Sequence, residues 1–124
     1  MASIGLGCNA TPGVAMSAIP IAVRKAVLER AQGRCEACGK EANLELHHRK
    51  YRSRGGIHSF GNLVALCGWG NHTGCHGDAH NSRGVEGVSL NSWDNHEHAP
   101  FAHSRLGRCL LLDDRTVVTG TVVF

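Results

Sequence analysis

The residues best equipped for chemistry are cysteines and histidines: the 124-residue chain has six of the former and nine of the latter. Cys35 and Cys38 form a C-x-x-C pair with Gly39 directly after it, and Cys67 and Cys75 form a second, wider pair. Four thiolates delivered by two turns make the ligand set of a tetrahedral zinc ion. The second gap exceeds the usual two residues, and Gly68, Gly70 and Gly74 give that loop the freedom to fold back. A variant of the site leaves Cys67 as a core thiol and completes the tetrahedron with His72 or His76. Disulfides are the competing use of paired cysteines and need an oxidising compartment. Residues 1–20 lack the basic start and compact leucine-rich stretch of a secretory signal, so the expected location is cytoplasmic. Cys8 and Cys109 are left over and read as reduced thiols. Binding energy at a structural zinc is folding energy, so chelation is expected to unfold the domain.

The histidines need a second explanation. His47 and His48 end the alternating run LELHH, and a strand sends adjacent side chains to opposite faces. One can ligate a metal while the other works separately. His76 and His80 are four residues apart, one turn along a helix face, which suits two ligands of one ion. A neutral imidazole with a pKa near 6.5 can take a proton from water at working pH. Asn62 opens a second strand, and its amide can tie the preceding loop or offer an oxygen to a metal. That loop is basic: Arg49, Lys50, Arg52 and Arg54, with Tyr51 among them. The total charge is +3, and residues 47–83 hold five Lys/Arg against one acid, whereas residues 84–124 hold three against five. A basic patch around a metal-type cluster points to a polyanion partner, gripped through phosphates and weakened by salt. His58, His72, His96, His98 and His103 receive no role, and Trp69 and Trp93 read as packing residues.

Elements must position these groups. Residues 1–20 are Gly-, Ala- and Ser-rich and read as an arm. Residues 21–32 read as a helix with Val23, Ala26, Val27 and Arg30 or Ala31 on one face, Pro20 before it and Gly33 after it. Residues 44–48 and 62–66 read as strands, 49–61 as a Gly-rich loop, and 76–82 as the start of a short helix. The polar tail ends in a hairpin, CLLLDDRTVV, turning at Asp113-Asp114-Arg115. The expected organisation is an arm at 1–20, a domain at 21–83 and an extension at 84–124. Aromatics make up 5% of the chain, so the core is thin and the cysteines are expected to reinforce it. There is no run of 18 apolar residues, no phosphate-binding glycine loop and no internal repeat, which argues against a membrane span and a nucleotide cofactor.

The order Cys35-x-x-Cys38, Leu46-His47-His48, Arg54-Gly55-Gly56, Asn62-Leu63-Val64-Ala65-Leu66-Cys67 and Cys75-His76 resembles HNH endonucleases of the four-cysteine, zinc-containing type, and small phage-encoded members most. The resemblance covers roughly residues 22–82. It implies an α+β chain with a ββα-metal core, a structural zinc at Cys35, Cys38, Cys67 and Cys75, and a catalytic divalent ion (Mg2+, Mn2+, Ni2+ or Zn2+). His47 and His76 are implied as ligands of that ion, with His80 as an additional ligand in some members. His48 is implied as general base and Asn62 as the central asparagine. The implied reaction is metal-dependent hydrolysis of DNA phosphodiester bonds, nickase-like, leaving 5′-phosphate and 3′-hydroxyl. Phage membership would place the chain in the bacterial host cytoplasm beside a DNA-packaging terminase. The alternative is a non-catalytic zinc module that binds DNA or protein, which leaves His47, His48, Asn62 and His76 without a task.

Overall fold

The computed structural model describes residues 18–69 and 72–120. Most of the N-terminal arm, with Cys8, lies outside those residues. The chain is α+β. Helix α1 (Ile21–Ala31) starts at Pro20 and ends where Gln32 turns left-handed at φ 55°, its N–H returning to the Leu28 carbonyl. Strands β1 (Leu44–His48) and β2 (Leu63–Cys67) pair antiparallel, with His47 opposite Val64 and His48 opposite Leu63. A 3-10 turn, Arg52–Arg54, interrupts the loop between them. Helix α2 (Gly74–His80) begins two residues before its expected start. β1, β2 and α2 together make the ββα unit.

A two-stranded sheet alone is marginal in water, and this one is covered on both sides. All five residues of β2 are buried. On one side Leu63 and Ala65 pack under Ala26, Val27 and Ala31 of α1 and under Phe60. On the other, Val64 and Leu66 meet Ala79 of α2 and Val88, Phe101, Cys109 and Leu111. Double-sided burial explains why NLVALC reads as an unbroken apolar run.

The C-terminal residues form a three-stranded antiparallel sheet: β3 (Phe101–His103), β4 (Gly107–Leu111) and β5 (Val117–Val118). The expected hairpin is present, with Leu111 opposite Val117. β3 was not expected; it has three residues, too few to show a period, and it exists because Phe101 enters the core and pairs with Cys109. Trp69 and Trp93 do not pack: they are 77% and 80% exposed.

A buried ionic network ties these layers. The Glu36 carboxylate accepts from Arg30 Nε and Nη2 at 2.6 and 2.8 Å, from the Ala65 N–H at 2.9 Å and from His103 Nε2 at 2.9 Å. Arg30 also donates to the Phe60 and Leu63 carbonyls. One carboxylate thereby joins α1, the first cysteine turn, β2 and β3. Burial pushes the Glu36 carboxyl up, but the Arg30 and His103 hydrogen bonds outweigh it and hold it below the usual range.

Candidate metal centres

Two separate clusters of ligating side chains emerge among the described residues. In the first, the Sγ atoms of Cys35, Cys38, Cys67 and Cys75 all lie within 4.8 Å of one another. The turn that presents Cys35 and Cys38 closes through Gly39 N–H to the Cys35 carbonyl at 2.8 Å and Cys35 N–H to the Lys40 carbonyl at 2.9 Å. Cys67 ends β2, and Cys75 sits in the first turn of α2. The wide gap between them closes because Gly68 (φ 128°) and Gly74 (φ 62°) lie against each other; a Cβ on Gly74 would meet Gly68 Cα at 2.6 Å.

Thiolates about 2.3 Å from a tetrahedral centre are about 3.8 Å apart. Cys38 Sγ and Cys67 Sγ are 3.8 Å apart, far longer than a disulfide. The Cys35 thiol is pulled below its usual range: burial raises it, but the Cys67, Cys38 and Ala37 backbone N–H groups together outweigh that. Burial and the neighbouring sulfurs push Cys75 up. Several thiolates at this spacing repel each other, and a divalent cation is what makes four of them compatible. The donor set fits zinc. His72 is exposed and His76 belongs to the second cluster, so neither histidine stands in for a cysteine.

In the second cluster, one ring nitrogen from each of His47, His76 and His80 falls within 4.8 Å of the others. The hydrogen bonds around it fix which nitrogens hold lone pairs. His47 Nε2 is 2.8 Å from the Val88 carbonyl, which only accepts, so Nε2 carries the proton and Nδ1 the lone pair. His76 Nδ1 is 2.9 Å from Glu45 Oε1, so its lone pair is on Nε2. His76 and His80 bring their Nε2 atoms within 3.2 Å. Two imidazoles on one tetrahedral ion, each about 2.05 Å from it, would stand about 3.3 Å apart. Carbonyl and carboxylate partners of this kind orient and strengthen histidine ligands. Tyr51 stacks on His80 at 5.1 Å and donates its hydroxyl to the Ala79 carbonyl. Burial, then the charges of His76, His80 and His48, pull His47 down to about 3, and burial with His76 lowers His80 as well. Both therefore stay neutral, the form that binds metal.

His48 leaves the strand on its other face and is half-buried. Its Nε2 lies 2.9 Å from His58 Nδ1, and His58 Nε2 lies 2.6 Å from an Arg52 guanidinium nitrogen. Burial, then the charges of His58 and Arg52, pull His48 down to about 4.

Asn62 is fully buried and its amide is spent on backbone. Oδ1 accepts the Lys50 N–H at 2.8 Å, and Nδ2 donates to the Lys50 and Ile57 carbonyls at 3.0 Å. Of the two uses open to it, the structure shows the loop tie.

Arg49 requires correction. Expected to grip phosphate, it is 0% exposed and donates to four carbonyls: Gly87, Gly61, His96 and Ala99. Burial lowers its pKa to about 10, which keeps it charged, and the wholly buried side chain does not reach solvent. Lys50, Arg52 and Arg54 remain at the surface. Lys50 Nζ rests on the Asp94 carbonyl, while Arg54 rests on the Leu90 carbonyl and on the Tyr51 ring. A cavity of about 290 Å³ beside Arg54 is lined by that residue with Arg83, Ser82, Ser89 and Val88, the last being the residue that holds His47.

Sequence reasoning missed Glu45, His58 and the Val88 carbonyl. Glu45 was findable, because residues two apart on a strand share a face and Glu45 precedes His47 by two. His58 and Val88 gave no local signal, since only the folded loops bring them to His48 and His47.

Residues 35–82 match the sequence model of one family, described as HNH endonuclease. No curated protein and no solved structure matches the chain. The matched segment takes in both clusters, and no described helix is long and apolar enough to cross a membrane.

Proposed function

We propose, from an HNH endonuclease segment at residues 35–82, that this chain is a metal-dependent DNA endonuclease that nicks one strand at a time. The observation that carries the reading is the convergence of His47, His76 and His80, with the lone pairs of His47 and His76 set by Val88 and Glu45, next to His48 on the adjoining strand position. A divalent ion (Mg2+, Mn2+, Ni2+ or Zn2+) held by those three histidines supplies Lewis-acid stabilisation of the phosphate and of the leaving 3′-oxygen. His48 acts as general base and takes the proton of the attacking water. Burial keeps it neutral in the free protein, and the negative charge of an arriving phosphate raises its basicity. The products are a 5′-phosphate and a 3′-hydroxyl. Lys50, Arg52 and Arg54 hold flanking phosphates, a grip that weakens with salt. Asn62 holds the loop that carries them. Zinc at Cys35, Cys38, Cys67 and Cys75 holds the unit together rather than reacting. One histidine site per chain supports cutting of one strand at a time. A role beside a phage packaging terminase rests on the resemblance alone, and failure to bind terminase subunits in a pull-down would remove it.

The test is nicking of supercoiled plasmid by the full chain with each of the four metals, beside His48→Ala. Wild type should nick and the folded variant should lose about 10²–10⁴-fold in rate, the usual contribution of a general base. Equal activity would overturn the assignment of His48. Inactivity of wild type with every metal, zinc content being intact, would favour the binding-module reading.

A further inference from the structure

The hydrogen bond that holds His48 has a direction fixed from its far end. Arginine only donates. His58 Nε2, 2.6 Å from the Arg52 guanidinium, therefore accepts. A neutral imidazole that accepts on Nε2 carries its proton on Nδ1, so His58 Nδ1–H donates to His48 Nε2 across 2.9 Å. His48 in turn accepts on Nε2 and keeps its own proton on Nδ1. Both His48 nitrogens are then occupied, one by a received hydrogen bond and one by a proton. This is a resting arrangement for a base.

We propose that His58 is the positioning residue for His48 and that Arg52 sets its polarity, so that a DNA phosphate arms the base by drawing Arg52 away. The inference rests on the reading of His48 as general base. Arg52 is exposed, and a DNA phosphate offers its guanidinium a charge-assisted, bidentate contact with an anion, where His58 offers one neutral nitrogen. Lys50 and Arg54 donate to the Asp94 and Leu90 carbonyls, and Arg52 is the cation that donates to the His58 ring. Once Arg52 turns to phosphate, His58 Nε2 can take a proton from water. The proton shared between the rings then passes from His58 Nδ1 to His48 Nε2, and His48 gives its Nδ1 proton to solvent. The number of protons on the pair is unchanged. His48 now donates through Nε2 to His58 Nδ1, which fixes the ring, and offers a lone pair on Nδ1.

Nitrogen NMR of the histidine rings reads this directly in the full, zinc-loaded chain with no magnesium or manganese added. The free protein should show His48 and His58 protonated on Nδ1, and a short DNA duplex should move both protons to Nε2. Arg52→Ala should populate the Nε2-protonated pair without DNA. A free protein already protonated on His48 Nε2, or tautomers that DNA does not move, would overturn the proposal. In plasmid nicking, His58→Ala should lower kcat by about ten- to a hundredfold with KM within about twofold, part of the contribution of a well-placed base. His58→Asn, whose amide reaches the position of Nδ1, should recover most of that loss. If His58→Ala keeps wild-type kcat while His48→Ala is inactive, the positioning role is wrong and the nuclease reading stands. If His48→Ala also cuts normally, the reading beneath it fails.

Discussion

Glu36→Gln removes one charge from the centre of the molecule and changes little else in shape. The carboxylate is 0% exposed and accepts four hydrogen bonds, two of them from Arg30. Glutamine keeps one oxygen, enough for Arg30 Nη2 and the Ala65 N–H. Its amide nitrogen then faces Arg30 Nε–H and His103 Nε2. His103 cannot adapt, because its Nδ1 already accepts the Arg105 and Leu106 N–H groups, so its proton stays on Nε2. Donors meet donors, and the Arg30 side chain, 4% exposed, loses its counter-charge. Breaking a buried pair by changing one partner costs about 3–5 kcal/mol. Against a total stability of about 5–15 kcal/mol, that is a large fraction, and for a domain of this size it lowers Tm by about 10–20 °C. Thermal unfolding with zinc in excess measures it, in a double-mutant cycle with Arg30→Met. The double variant should fall short of the summed single losses by about 1–3 kcal/mol. A Glu36→Gln shift under about 3 °C, or simple additivity, would show that the network does not carry the energy assigned to it.

Three further outcomes follow from other parts of the fold. Arg49→Leu should cost about 3 kcal/mol or more in stability, because four carbonyls, that of buried Gly61 among them, lose their donor; unchanged stability with a weaker salt dependence of DNA binding would restore Arg49 to the phosphates. Gly68→Ala places a Cβ 2.1 Å from the Thr73 carbonyl oxygen and should prise open the Cys67–Cys75 loop, so a chelator should strip zinc from the variant at lower concentration than from wild type. Burial pushes the Asp113 carboxyl up, but bonds from Ser59, His96 and Gly61 outweigh it and hold it below 3.8. The unfolded chain then binds more protons in acid, so the stability Asp113 contributes is full above about pH 5 and is lost as pH falls through its folded pKa. Urea unfolding between pH 5 and 3 should therefore steepen less in Asp113→Asn than in wild type.

Local features were legible and closures over distance were not. The cysteine turns, α1 and β2 each announce themselves within a dozen residues, by ligand spacing, by a 3.6-residue period and by an apolar run. The final hairpin showed through its Asp-Asp-Arg turn. β3 buries Phe101 and His103, and two rings two residues apart in a polar tail leave no readable pattern. Arg49 misled because arginine is almost never fully buried, so residue type in a basic loop argued for solvent. Only the folded loops reveal four carbonyls converging on it.

Some of the groups that orient the histidine site come from outside the matched segment. Residues 35–82 contain the ligating side chains, yet the carbonyl that sets the His47 tautomer belongs to Val88. Three of the four carbonyls around Arg49 belong to Gly87, His96 and Ala99, and the Arg49 carbonyl itself receives the Leu90 N–H at 2.7 Å. Arg49 directly follows His48 and donates its N–H to the Asn62 carbonyl at 2.7 Å. The guanidinium therefore fixes the point where β1 leaves the sheet, and with it the directions of His47 and His48. A charged pillar suits this position: it satisfies several carbonyls of an irregular segment at once, which an apolar side chain cannot. The stretch after residue 83 thus reaches the histidine cluster through backbone carbonyls, a part that sequence composition alone could not have assigned to it.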